Sequence, residues 1–486
     1  MQVQHVAQAC SRRAFLQSGV LALGGLGLLV HPRPADGAWG PNVLPSEPIE
    51  IGRQPQFLFD LHVVDCTWAL KEKHEPVKRV FHACTKHPAN PLLTGDQPSH
   101  LWVVRDQQAG LFRMWYQLNQ LIEYKEKPRE KGQGLYQSYV AYAQSKDGIA
   151  WEKPAVDSPA VQGDARLPRN TVLPHADTPQ ILELPEKDRR GYRYVMLYYG
   201  TGNIRLIGSH DGIHWDEKSD TVISRIHSDH HNTVVYDAEH DEYVLFLRAK
   251  HIYLAPGQGR ERIDSGQSRR GVARMTSKQL WTEWTSPPQT ILMPDEVDAD
   301  HGYNYFYGMP VFPYAGIYWG FLQSFRLNDF MHGELAWSRD GVHFDRLPQR
   351  PKIIEYGPDG SWDDTMILAC PAWVEVGDEW WVYYNGWDGP HGTPDRTGGI
   401  GLAKIRKGGF ISLRGPQGGG VVCTRQLRWP GGALIVNADA SQGELKIRVS
   451  DELRRPVFAS VLASSMSFSG GKTLSTRPIL SASVAS

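Results

Sequence analysis

The sequence has no excess of either charge. Its 486 residues carry 52 Lys+Arg against 53 Asp+Glu, a formal net charge of −1. Without a basic surplus to release counterions, the driving force for a nucleic-acid or anionic-membrane partner is missing. Cysteine is scarce. Cys10, Cys66, Cys84, Cys370 and Cys423 show no C-x-x-C spacing, so neither a zinc knuckle nor a disulfide framework is indicated. Long apolar runs are absent too: the weakly apolar stretch from Val20 to Val30 is well short of the ~20 residues that cross a bilayer core. There is no nucleophile elbow, phosphate-binding glycine loop or zinc-protease pattern. Hardly any ten-residue window has helical periodicity.

What is present is turn chemistry and aromatic rings. Gly 48 and Pro 33 suit a turn-rich all-β chain, and 16 Trp, 20 Tyr and 15 Phe supply large side chains for packing between sheets. At the N-terminus, Ser11-Arg12-Arg13-Ala14-Phe15-Leu16 precedes the modest apolar segment, and small residues follow near Ala35–Ala38. This pattern reads as a twin-arginine signal over residues 1–38. It predicts a periplasmic or extracellular protein, with the Tat translocase as a partner during export and no membrane contact after cleavage.

The remaining chain repeats. Ser145-Lys-Asp-Gly-Ile-Ala-Trp151, Ser209-His-Asp-Gly-Ile-His-Trp215 and Ser338-Arg-Asp-Gly-Val-His-Phe344 share one pattern, at intervals of 64 and 129 residues. Degenerate copies fall near Val272–Trp281 and Gly401–Phe410, so five units of about 65 residues cover roughly 90 to 415. Each unit carries an aromatic-rich run, such as Leu111–Tyr116, Tyr192–Tyr199 or Glu379–Tyr384, that reads as a strand. Several short strands per unit, repeated radially, predict a five-bladed β-propeller over 39–415. Within the repeat, Asp and Gly form a tight turn and the aromatic residue packs between sheets. Alternating strands over 416–470 predict a small C-terminal β-sandwich-like domain, and 471–486 reads as a disordered tail.

In such a fold, side chains at the entrances of the innermost strands converge on the axis. A carboxylate precedes each predicted innermost strand: Asp96, Asp177, Asp229, Asp300 (with Asp298 and Glu296) and Asp364 (with Asp363). Glycoside hydrolysis needs one protonated carboxyl group and one ionised partner, and crowding like charges separates their pKa values. Asp177 and Asp229 are the candidate base or nucleophile and stabiliser, and Glu334 is the candidate acid, with Glu296 competing. His230, Tyr303 and Trp387 are candidate contacts to sugar hydroxyls and ring faces, beside Asp96, Asp298, Asp300 and Asp364. His230 and His231 are adjacent on a strand and no second cluster completes a metal site, so no metal or cofactor is expected.

Lys86–Leu93, Gly110–Tyr116, Leu335–Gly341 and Leu434–Ser441 resemble secreted bacterial proteins related to glycoside hydrolase family 32, within the wider five-bladed families 32, 43, 68 and 130. The resemblance implies a propeller with an appended β-sandwich and action on a glycosidic bond of a plant or algal saccharide. The Trp-Met-Asn-Asp-Pro-Asn, Arg-Asp-Pro and Glu-Cys segments that carry family 32 catalysis are not present, so no catalytic residue transfers. The expectation is an exported glycosidase with a carbohydrate substrate. Two alternatives stand beside it: a non-catalytic carbohydrate-binding propeller, and a polysaccharide lyase using His230 or Tyr303 as base with Arg248 or Arg274 holding a uronate.

Overall fold

The computed structural model describes residues 47–71, 75–95, 98–122, 135–157, 167–252, 268–326, 329–391, 396–428, 430–431, 433–440, 444–450, 473–475 and 481–485. The signal read over 1–38 lies outside them.

Among the described residues the chain is nearly all β, with the short helix Glu296–Asp300 and a 3-10 turn at Glu186–Asp188. Three four-stranded antiparallel meanders follow one another. The first runs through Ser99–Asp106, Leu111–Ile122, Leu135–Ser145 and Thr171–Pro174, the second through Asp177–Ile181, Tyr194–Gly200, Asn203–Ser209 and Trp215–Ser224, and the third through Thr233–Asp237, Glu242–Ile252, Ser268–Ser277 and Gln289–Leu292. An eleven-stranded sheet contains two more meanders. One is centred on Ile317–Phe325 and Met331–Ser338, the other on Glu379–Trp387 and Gly398–Arg406, and a single parallel pair, Met331 with Met366, joins them. Thr85–Lys86 and Leu93–Thr94, from ahead of the first meander, supply the outer strand of the last by pairing with Gly398–Arg406.

The aromatic runs are the second strands of these meanders, and their burial explains their composition. Tyr194–Gly200 is buried at every position, as a strand covered on both faces must be, and so it reads as a continuous apolar run rather than an alternating one. Alternate residues enter different cores. Val195 and Leu197 pack with Val234 and Leu245 of the third meander, while Tyr194 and Met196 pack with Trp115 and Val172 of the first. One apolar cluster lies between the third and fourth meanders, another between the fourth and fifth, and another between the fifth and the first.

The repeated Ser-x-Asp-Gly element closes the third strand of its meander each time. Asp147, Asp211 and Asp340 each accept two backbone N–H groups at 2.8 Å, and Gly148, Gly212 and Gly341 take positive φ. At Gly148 an added Cβ would sit 2.7 Å from the Tyr383 hydroxyl. The copies are turn-builders.

Two predicted boundaries change. Val64–Ala69 pairs with Gly420–Thr424, and Ile49–Glu50 with Leu427–Arg428, so this N-terminal stretch belongs to the C-terminal sheets rather than to the repeats. Residues 471–486 are not a structureless tail throughout: Thr473–Ser475 pairs with Ala433–Ile435, and Ser481–Ala485 inserts between Gly420–Thr424 and Glu444–Arg448. Small residues such as Ser483 and Ala482 give little strand signal in sequence. Backbone pairing to two neighbours holds the strand instead.

Candidate active site

Three of the meanders carry an irregularity at the entrance of their first strand. Pairing of the first meander jumps between Ser99 and Leu101, leaving His100 as an extra residue at φ 38°. Pairing of the second jumps between Asp177 and Gln180, with Thr178 at φ 53°. Pairing of the fourth jumps between Phe306 and Gly308, which puts Tyr307 out of register. Bulges of this kind re-aim side chains, and positive φ at non-glycine residues costs on the order of 1–3 kcal/mol each.

The first and the fourth of these entrances meet around Tyr307. The ring of His100 lies 6.3 Å from it, His230 6.4 Å and His391 5.3 Å, and His231 packs edge-on to His100 at 4.7 Å. The third meander contributes Arg248, which is 3% exposed and has its guanidinium carbon 5.3 Å from the Tyr307 centroid. Arg248 Nη1 donates to Asp229 Oδ1 at 2.5 Å, and the Arg248 backbone N–H donates to Ser228 Oγ at 3.0 Å. Ser228 Oγ also stands 3.2 Å from His230 Nε2. Gly308 is required here, because a Cβ would come within 2.4 Å of His230 Nδ1.

The electrostatics divide the two predicted carboxylates. Burial, together with the charge of Asp229, pushes Asp177 up to about 6 against an opposing hydrogen bond from Ser138, and Asp177 Oδ1 is buried without a hydrogen-bond partner. The Asp229 side chain is 45% exposed and ion-paired to Arg248, so it opens to solvent with a buried cation behind it. The histidines are held neutral, first by burial and then by neighbouring charges. His100 falls to about 4 and His391 to about 3, while His230 and His231 fall well below their usual range. Among the described residues, no group of three or more His, Cys, Asp or Glu side chains is placed to hold a metal ion.

Glu334 belongs to a different structure. It lies mid-strand at 3% exposure and faces the core between the third and fourth meanders. Arg346 Nη2 reaches Glu334 Oε2 at 2.6 Å and Asp298 Oδ1 at 2.6 Å, and Ser324 Oγ donates to Glu334 Oε1 at 2.5 Å. Burial alone would raise the Glu334 carboxyl, but His332, Arg346 and Ser324 together hold it below its usual value. A carboxylate kept ionised in this way is a poor proton donor. This geometry removes Glu334 from the role of acid.

Asp298 is likewise spent as the third member of that clamp and as a capping residue of the helix Glu296–Asp300. Exposed Asp300 ends the helix, and Tyr303 packs edge-on to His332 at 4.6 Å, outside the Tyr307 cluster. Asp364 caps a turn through Gly360 N and Thr365 Oγ1. Asp363 is buried against Lys86 and Tyr384. Trp387 is buried beneath the Arg396 guanidinium, 5.5 Å away, and so forms a wall rather than an open stacking face. Asp96 lies outside the described residues. Of the predicted residues, then, Asp177, Asp229 and His230 come together. Arg274 pairs with Glu242 at 4.0 Å, lower on its strand, whereas Arg248 joins the cluster.

Sequence reasoning did not single out Tyr307, His100, Arg270 or Arg396. The available signal was the row of histidines and arginines at strand entrances. It was hidden because the bulges that turn them inward have no strict sequence mark.

No protein-family model and no curated protein matches the chain. Among solved structures it is similar to an N-acetylgalactosamine deacetylase from F. plautii, at 18% identity over 68% of this chain and 95% of that one, TM-score 0.42. It is similar to a thermostable family-43 glycoside hydrolase at 11% identity over 71% and 98% of the two chains, TM-score 0.42. A third is a β-1,2-mannobiose phosphorylase from Listeria innocua, at 11% identity over 67% and 97%, TM-score 0.44.

Proposed function

We propose that the chain is an exported, carbohydrate-active enzyme that cleaves a glycosidic bond with Asp177 and Asp229. Its architecture on this reading is a five-bladed β-propeller with a C-terminal β-sheet domain. The cyclic order of apolar clusters, each meander packed on the next and the fifth on the first, supports the ring. The twin-arginine segment of the sequence supports export to the periplasm or beyond.

One observation carries the chemistry: of two carboxyl groups at strand entrances, Asp177 has an oxygen buried without a hydrogen-bond partner, while Asp229 is ion-paired to Arg248 and open to solvent. Asp177 then donates a proton to the leaving oxygen. Asp229 stays ionised beside Arg248 and acts as nucleophile or as base towards water. In this assignment Asp177 takes the acid role first expected of Glu334. The neutral histidines His100 and His230 are suited to hydrogen-bond sugar hydroxyls without adding charge. The test is release of reducing ends from a panel of poly- and oligosaccharides. Asp177→Asn and Asp229→Asn should each lower kcat by roughly 10²–10⁴-fold with folding intact. Unchanged turnover in either variant removes that residue.

The grouping of Tyr307 with Arg248 and His391 favours a second reading, elimination from a uronate, in which Tyr307 would abstract the proton. Burial raises the Tyr307 phenol despite three nearby guanidiniums, which weakens it as a base. An unsaturated, ultraviolet-absorbing product would establish the lyase.

A further inference from the structure

Two cysteines far apart in sequence face each other across one rung of a sheet. Val64–Ala69 runs antiparallel to Gly420–Thr424, and Cys66 stands directly opposite Cys423. Opposed residues on antiparallel strands project from the same face, with Cα atoms about 4.5–5.5 Å apart and Cβ atoms at a similar spacing. A disulfide spans Cα separations of about 4.4–6.8 Å, so the register alone brings this pair within bridging distance. The pairing jumps between Val64 and Cys66, which makes Asp65 an extra residue beside the pair. A bulge bends and twists its strand locally, and so gives Cys66 room to adjust. Cys66 Sγ donates to Asp65 Oδ2 at 4.0 Å, a weak thiol contact that rotation about the Cα–Cβ bond releases.

The remaining described cysteines are placed differently. Cys84 and Cys370 lie in separate apolar cores, and burial pushes both thiols up, Cys370 to about 12. Thiols held protonated in this way are inert. Cys66 is exposed, whereas Cys423 is 2% exposed. The strand that carries Cys66 also has need of a tether. It lies at the edge of its sheet, with Gly420–Thr424 as its one neighbour there among the described residues, and four of its six side chains are exposed. Backbone pairing rather than apolar burial holds it.

We propose that Cys66 and Cys423 form a cross-strand disulfide that staples the strand Val64–Ala69 to the C-terminal sheet when the chain meets an oxidising disulfide. Exposure sets the order of events. The Cys66 thiolate attacks one sulfur of the donor disulfide, forms a mixed disulfide and expels the first donor thiolate. Cys423, too buried to meet the donor, then attacks the Cys66 sulfur and expels the second. Two electrons pass from the protein sulfurs to the donor, and the two protein thiol protons end on the two donor thiols. This bridge depends on neither the glycosidase reading nor export, because the strand register carries it.

The purified full chain is reduced, exchanged into an excess of glutathione disulfide over glutathione, and mapped by mass spectrometry without reduction. The wild type should lose two titratable thiols and yield one cross-linked peptide that joins Cys66 to Cys423. Its Tm should rise by several degrees over that of the reduced protein, since a bridge across so long a loop restricts the unfolded chain. Cys66→Ser should abolish both the cross-link and the Tm difference, and should leave Cys423 unmodified. Cys423→Ser should trap the first step as a glutathione adduct on Cys66. If Cys423→Ser does not fold, the wild-type map and Cys66→Ser decide. The proposal is overturned if wild-type Cys66 and Cys423 stay reduced. It is also overturned if Cys66 carries glutathione without cross-linking, or if Cys66 bridges to any other cysteine, including Cys66 of a second copy.

Discussion

Two carboxylate clusters in this chain share residue types and differ in what surrounds them. Glu334 and Asp298 sit in the core at 3% and 1% exposure with Arg346 bridging both and Arg350 beside Asp298. Asp177 and Asp229 sit at strand entrances; Asp177, at a bulge, has a buried, unpartnered oxygen, and Asp229 is open to solvent. In the first cluster each negative charge is matched and held rigidly, which favours stability and leaves no proton to give. In the second, burial without full pairing raises one carboxyl towards neutrality, the condition for acid–base work. An acidic residue at a strand entrance is therefore only a starting point. The number of cations and donors that meet it decides its role.

The sharpest way to break this contrast is to remove the bridge. Arg346→Met leaves Glu334 buried without its arginine and Asp298 with Arg350 alone, and should cost about 3–5 kcal/mol, read as a large drop in Tm at neutral pH. A small change would show that the clamp is not structural. Gly308→Ala comes next. The new Cβ, 2.4 Å from His230 Nδ1, must displace the imidazole, at roughly 1–3 kcal/mol for overpacking, with turnover falling further than stability does.

The pH dependence separates the clusters more finely. The folded-state pKa of Asp177 is raised to about 6. Relative to the unfolded chain, the group is most favourable below about pH 4, and it becomes destabilising as pH rises through 6. Burial sets most of this value, with the Ser138 hydrogen bond lowering it and the Asp229 charge raising it. Asp177→Asn should therefore stabilise the protein by on the order of 2 kcal/mol at pH 8, with the gain vanishing near pH 4, as denaturation midpoints across pH would show. Glu334 is shifted the other way, so Glu334→Gln should destabilise above the carboxylate range, and the difference should shrink in acid. Smallest of all, Asp300→Asn at the exposed helix end should stay within about 0.5 kcal/mol of wild type and leave turnover unchanged.

The sequence made the strands legible where burial on both faces demanded apolar runs, as in Tyr194–Gly200, and the Asp-Gly turns announced their register. The strands Ser99–Asp106, Asp177–Ile181 and Thr233–Asp237 were legible for the same reason. Local pattern could not reveal which distant cation each carboxylate meets. Arg346 is only 12 positions from Glu334 in sequence, yet its grip depends on how two meanders pack. Tyr307 was hidden because a bulge, rather than strand alternation, turns it inward. Ser481–Ala485 was missed because its sheet position comes from backbone pairing to small residues.

The central claim is that Asp177 is a proton donor raised by its surroundings and by Asp229. Carbon-13 NMR titration of the Asp177 carboxyl tests it directly, in wild type and in Asp229→Asn. A midpoint near 6 in wild type, moving downward once the Asp229 charge is removed, is the predicted result. A wild-type midpoint at the ordinary aspartate value of about 4, unmoved by the substitution, would contradict it.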